Sequence, residues 1–140
     1  MKHEIRVIFG DTDQMGVVYY GNFMRYFESS RAAYWRACGK TYKDLVDWDV
    51  AMPVVEAHCY YKSFARYEDI LVVDVDVTEL RAASLRFGYR ITCDDKLIAE
   101  GETRHAIVGA NGRPKQLPEQ LKNAIPHVGP PGSGPPTRAI

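Results

Sequence analysis

From Phe23 to Ala37 the apolar positions recur in steps of three and four: Phe23, Tyr26, Phe27, Ser30, Ala33, Tyr34 and Ala37. That spacing marks one face of a helix. Arg25, Glu28, Ser29, Arg31 and Arg36 fall mostly on its other faces, and Gly39 follows as the expected C-terminal stop. A helix with so long an apolar face must bury it, and the sequence that follows supplies a sheet for the purpose.

After Pro53 the period changes from helical to alternating. Val54 to Ser63 reads as a strand, as does Ile70 to Leu80, where Val73, Val75 and Val77 face one way and Asp74, Asp76 and Thr78 the other. Ser84 to Cys93 alternates again, the Asp94-Asp95-Lys96 run is a hairpin turn, and Leu97 to Val108 is a last long strand. Ahead of the helix, residues 3 to 9 form a first strand and Gly10 to Gly16 a loop. Between the helix and Pro53, Thr41 to Asp49 reads as a short helix with Thr41 as N-cap and Asp44 in its first turn.

Successive strands with short turns imply an antiparallel sheet, and one helix against such a sheet is an α+β domain. Residues 1–125 form this domain, with a short helix expected from Pro118 to Ile125. Residues 126–140 are rich in Pro and Gly and read as a mobile tail with no part in the fold.

The chain has 140 residues with 18 basic and 18 acidic side chains, so it lacks the basic excess of a nucleic-acid binder. No apolar run reaches the length of a membrane span and no signal-peptide core opens the chain. Cys38, Cys59 and Cys93 form no CxxC pair, which argues against a zinc or redox motif and for reduced thiols in the cytoplasm.

Chemistry concentrates in Asp11-Thr12-Asp13-Gln14-Met15-Gly16, just ahead of the helix. A carboxylate there can attack an activated carbonyl or take a proton from water, while free N–H groups at the helix start stabilise an oxyanion. The same residues could equally cap the helix and shape the turn. Asn22 is the best local N-cap. The aromatic stripe Phe23, Tyr26, Phe27 and Tyr34 reads as core, and His58 and His105 as strand residues with ordinary hydrogen bonds.

The run from Phe9 to Phe23 (FGDTDQMGVVYYGNF) resembles the signature of the 4-hydroxybenzoyl-CoA thioesterase-like family, which includes the Tol–Pal-associated thioesterases. Arg25-Tyr26-Phe27-Glu28, Pro53-Val54-Val55, Ala65-Arg66-Tyr67-Glu68-Asp69 and Glu79 to Leu85 continue the match, over roughly residues 3 to 125. The resemblance implies a hot-dog fold, a five-stranded antiparallel sheet wrapped around one long central helix. It implies an acyl-CoA thioesterase releasing a free acid and coenzyme A, with no metal or redox cofactor, since coenzyme A is part of the substrate.

Position by position, Asp13 matches the catalytic carboxylate and Asp11 a structural one. Tyr20 falls where the family has Tyr or His, and its backbone N–H would donate to the thioester carbonyl. Gly16 and Val17 would border the thioester. Arg66, Arg81 and Ser84 are the first candidates to meet coenzyme A, with Arg86 and Arg90 behind them. Gly21 and Phe64 depart from the family's usual residues. The edge of the Val54–Ser63 strand lacks protection beyond Lys62, which points to a homodimer, and the family also forms dimer-of-dimers tetramers. Glu56 and Tyr61 would line a site contributed by the second subunit. Two rival functions remain: a non-catalytic acyl-CoA-binding or adaptor protein on the same fold, and an enoyl-thioester hydratase. The hydratase usually has a His shortly after its Asp, and no His occurs between His3 and His58.

Overall fold

The computed structural model describes residues 1–134. The elements are β1 (Lys2–Arg6), a 3-10 turn (Phe9–Asp11), α1 (Asn22–Ala37), α2 (Tyr42–Asp47), β2 (Val54–Tyr61), β3 (Ile70–Leu80), β4 (Ser84–Cys93), β5 (Lys96–Ala106) and α3 (Glu119–Lys122). The strands form one sheet in the order β1-β3-β4-β5-β2, every pairing antiparallel. A two-residue turn joins β4 to β5, with Asp94 and Asp95 at φ 49° and 64°. Left-handed values at both positions give the twist a tight hairpin needs. Thr41 caps α2 as expected, its hydroxyl accepting from the Asp44 N–H while the Asp44 carboxylate accepts from the Thr41 N–H.

The sheet curves around α1. Leu71, Val73, Val75 and Val77 of β3 and Leu85, Phe87, Tyr89 and Ile91 of β4 are buried, as are all four residues of the aromatic stripe. Phe27 stacks on Tyr89 with ring centroids 4.0 Å apart, and Tyr34 meets Phe87 edge-on at 5.2 Å. Gly101 of β5 makes the close approach possible. A Cβ there would stand 2.5 Å from Phe27 Cζ and 2.6 Å from the His58 carbonyl oxygen.

Three local expectations change. First, β1 stops at Arg6, because the Asp11 carboxylate draws the chain into a turn by accepting from the Ile8 N–H at 3.3 Å. Second, Asn22 is not the N-cap of α1; Gly21 is. The Asn22 amide instead donates to the Asp11 carbonyl at 2.8 Å, and the Tyr26 hydroxyl donates to the Asp11 carboxylate at 2.8 Å. Asp11 is thus buried and holds the loop onto the first turns of α1. Burial, and then the neighbouring Asp11 carboxylate, raise the Tyr26 phenol well above its ordinary range.

Third, the segment after residue 125 is part of the sheet's surroundings rather than a tail with no role. β1 covers only the first half of β3. Val128 forms a parallel bridge with Val77, and the Gly129 N–H donates to the Val77 carbonyl at 2.9 Å, along the stretch of β3 that β1 does not reach. The Gly132 N–H donates to the buried Asp76 carboxylate at 3.0 Å. The remaining residues of the expected tail, 135–140, lie outside the described residues.

A chain of hydrogen bonds crosses the core beside α1. It links Arg31 Nη1 to Tyr89 Oη (3.0 Å), Tyr89 Oη to Thr103 Oγ1 (2.6 Å), Thr103 Oγ1 to His105 Nε2 (2.8 Å), and His105 Nδ1 to the Met52 carbonyl (2.9 Å). Both ends dictate its direction. Arg31 can only donate and the carbonyl can only accept, so Tyr89 donates to Thr103, Thr103 to neutral His105, and His105 Nδ1–H to Met52. Burial, with the nearby Arg31 charge adding to it, pushes the His105 pKa down to about 4. Cys38, Cys59 and Cys93 are free thiols, all raised chiefly by burial, Cys38 to about 11.

Two measurements check this account. The unfolded chain takes up a proton on an ordinary His as pH falls below about 6.5, whereas folded His105 resists until about 4. Urea denaturation should therefore show stability falling from pH 6.5 to 4, on the order of 2 to 3 kcal/mol of it through His105. His105→Gln, less stable at neutral pH, should show a correspondingly flatter profile. Tyr26→Phe should cost ~1.5–3 kcal/mol at neutral pH, since it strips a buried carboxylate of a hydrogen bond.

Candidate active site

The loop ahead of α1 is a miniature hairpin. Thr12 and Val18 form an antiparallel bridge, and the Asp13 N–H donates to the Val17 carbonyl at 2.9 Å. Its tip runs from Asp13 to Gly16, closed by the Gly16 N–H on the Asp13 carbonyl at 2.9 Å. Gly16 has φ 76°, a left-handed value that favours glycine. The returning arm is fastened to the segment ahead of β3: the Val18 N–H donates to the Ala65 carbonyl at 2.8 Å, and Val17 bridges Arg66.

Asp13 is half-buried at this tip. Its Oδ1 accepts from the Met15 N–H at 2.9 Å, which sets the carboxylate's orientation. Among the described residues, Oδ2 accepts no hydrogen bond. The Asp13 charge is felt at Tyr19, whose phenol is raised first by its hydrogen bond with Tyr20 and to a lesser degree by Asp13.

Tyr20 stands where the hairpin enters α1. The Asn22, Phe23 and Met24 N–H groups donate to the carbonyls of Tyr19, Tyr20 and Gly21 at 2.9, 3.3 and 3.2 Å. Among the described residues, the N–H groups of Tyr20 and Gly21 donate to none. Two free donors therefore sit at the positive end of a 16-residue helix, close in sequence and space to the Asp13 hairpin. The Tyr20 carbonyl is held by the Tyr61 hydroxyl at 3.1 Å. Tyr61 also meets the Phe23 ring at 5.4 Å and the Tyr20 ring at 6.2 Å, and burial pushes its own pKa up to about 12.

The structure thus brings together Asp13, Gly16, Val17, Tyr20 and Arg66. It does not bring Arg81 and Ser84 to them within one chain. Those residues close the β3–β4 connection, the Arg81 N–H donating to the Ser84 carbonyl at 2.9 Å. Arg66 lies ahead of the other end of β3, an eleven-residue strand that spans about 35 Å. Arg81 and Arg86 both pair with Glu79, Arg86 also with Glu102, and Arg90 with Glu100. Glu56 pairs with Arg104 across β2 and β5. Tyr61, expected to serve a second subunit's site, supports Tyr20 of its own chain. Strand alternation reports which face a residue takes but not which loop it meets, so that contact left no signal in the sequence.

The family model of the thioesterase-like superfamily matches residues 7–125. The acyl-CoA thioesterase YbgC of Haemophilus influenzae is 28% identical over 126 residues, covering 89% of this chain and 93% of that protein. A crystal structure of an Aquifex aeolicus protein superposes with a TM-score of 0.85 at 29% identity, covering 89% of this chain and 98% of that one. The 1,4-dihydroxy-2-naphthoyl-CoA thioesterase of Synechocystis shares the fold, with a TM-score of 0.82 at 24% identity over 89% of this chain and 93% of that one. The expected hot-dog architecture is therefore the observed one, with α1 as the central helix. On the span of that match, the chain belongs to the thioesterase-like superfamily.

Proposed function

We propose that this protein hydrolyses an acyl-CoA thioester to a free acid and coenzyme A, with Asp13 as the reacting carboxylate and the Tyr20 N–H as the oxyanion donor. The observation that carries the proposal is the juxtaposition at the start of α1. A carboxylate oriented through one oxygen, its other oxygen free, sits on a hairpin that leads straight into unpaired backbone donors.

As a general base, Asp13 takes a proton from the attacking water. The new C–O bond forms as the carbonyl π electrons move onto oxygen, where the Tyr20 N–H and the helix dipole stabilise the charge. Collapse of the intermediate breaks the C–S bond, and the thiolate of coenzyme A leaves with the proton from Asp13. As a nucleophile, Asp13 would attack the carbonyl and expel the coenzyme A thiolate as the C–S bond breaks, leaving a mixed anhydride that water then opens to the free acid and the Asp13 carboxylate. Either route uses the same oxygen and needs no metal or redox cofactor. A hydratase reading finds no support around Asp13. His3 bonds Ser29, His58 lies in β2, His105 is held in the core, and His127 bonds Ser133.

Among the described residues, the outer edge of β2 pairs with no strand, and it carries exposed Val54, Val55, Tyr60 and Tyr61. Two such edges joined about a two-fold axis give the homodimer we propose. In that pair, Arg81 and Ser84 would serve coenzyme A across the interface rather than within one chain. We place the enzyme in the cytoplasm, where Cys38, Cys59 and Cys93 would stay reduced.

A thiol-release assay against short, long and aromatic acyl-CoAs tests the assignment. Asp13→Asn should fold normally and lose ~10²–10⁴-fold in turnover. Near-normal turnover in that variant would remove Asp13 from the reaction. Binding of acyl-CoA without any hydrolysis by the unaltered protein would favour the acyl-CoA-binding adaptor.

A further inference from the structure

A cavity of about 530 Å³ opens between α1, α2 and the sheet. It borders the middle and C-terminal half of α1, away from the Asp13 hairpin at that helix's start. Trp35, Leu45, Met52 and Phe87 supply its apolar walls, and Arg31 and His105 its polar floor. Its volume is in the range of small-molecule sites, which are mostly apolar with a few placed polar groups.

The floor is unusual in its charge. Arg25, Arg36, Arg66 and Arg113, all exposed, pair with no carboxylate among the described residues, but the half-buried Arg86 and Arg104 each have a glutamate partner. Among the described residues, Arg31 is the half-buried arginine without one. It gives one N–H to the Tyr89 hydroxyl and keeps its remaining donors. Tyr89 passes its own proton on to Thr103, so Arg31 is held in place by a fixed donor chain that ends on the Met52 carbonyl at the cavity wall. His105 stays neutral and adds no second charge. Of the carboxylates bordering the cavity, Glu28 is exposed and Asp49 is engaged by the Ala110 N–H and Lys115. A guanidinium oriented from behind, with free donors and apolar walls in front, suits a carboxylate that carries an apolar body.

We propose that this cavity binds a carboxylic acid with a flat or chain-like apolar body, its carboxylate on Arg31 and its body against Trp35, Leu45 and Met52. The free acid released by the proposed hydrolysis is of this chemical class, so the cavity would serve as a site for product acid apart from the Asp13 hairpin. The proposal stands on the cavity and on Arg31, not on hydrolysis.

Calorimetric titration of the full-length protein with 2-naphthoate and with 2-naphthamide, its uncharged analogue, tests it. Naphthoate should bind at one site per chain, at least about 10-fold more tightly than the amide, the difference expected of a charge-assisted pair. Arg31→Gln should abolish that preference. Ala32→Trp, at an exposed helical position on the cavity's mouth, should block both ligands while leaving the thermal melt near that of the unaltered protein. Asp13→Asn should bind naphthoate normally, so that failure of the hydrolytic reading and failure of this one are separable. Equal affinity for acid and amide, a preference that survives Arg31→Gln, or no binding of naphthoate would overturn the proposal.

Discussion

The fold depends on how closely one helix can approach the inside of a curved sheet. α1 supplies the bulk, with Phe23, Tyr26, Phe27 and Tyr34 all buried. β5 supplies the clearance, because Gly101 leaves room for the Phe27 ring directly beneath it. Phe27 can then lie flat on Tyr89. A side chain at Gly101 would press on both a ring and a strand carbonyl, and a packed interior has little slack for such an intrusion. This one contact sets the height of the helix above the sheet, and so where its first turn emerges.

The position of the candidate site follows from that height. Asp11 converts the placement of α1 into the placement of the hairpin. Its carboxylate meets Tyr26 one turn into the helix, its carbonyl meets the Asn22 amide, and the turn before it closes on the same carboxylate. With Asp11 committed to structure, Asp13 two residues later is left at the tip with an oxygen free. The two aspartates are alike as residue types and differ only in what surrounds them. The same division recurs among the half-buried arginines, where glutamates neutralise Arg86 and Arg104 while Arg31 faces a cavity from a fixed donor chain.

Much of this was legible from local patterns. The steps of three and four ended α1 at Ala37, and the alternation of β3 and β4 matched their observed bounds. The Thr41 cap and the Asp94-Asp95 turn were readable because each depends on residues within a few positions of one another. The signature from Phe9 to Phe23 pointed to the hot-dog fold and to the thioesterase-like superfamily. Asp13 stood out for the same reason, since the hairpin that presents it is a local structure.

The remainder was decided by segments far apart in the chain. Asn22 has the composition of a cap, yet its amide goes to Asp11 because the folded loop offers a carbonyl there. The Pro- and Gly-rich segment has the composition of a free tail, yet residues 128–132 lie along β3 because β1 is too short to cover it. Arg81 and Ser84 belong to a promising motif, yet an antiparallel hairpin carries them to the far end of β3 from Arg66. The chain from Arg31 to Met52 joins four separate elements and connections of the fold. Periodicity records which side of an element is buried. Which distant group waits on that side is set by register and by the closeness of packing, and only the assembled structure determines both.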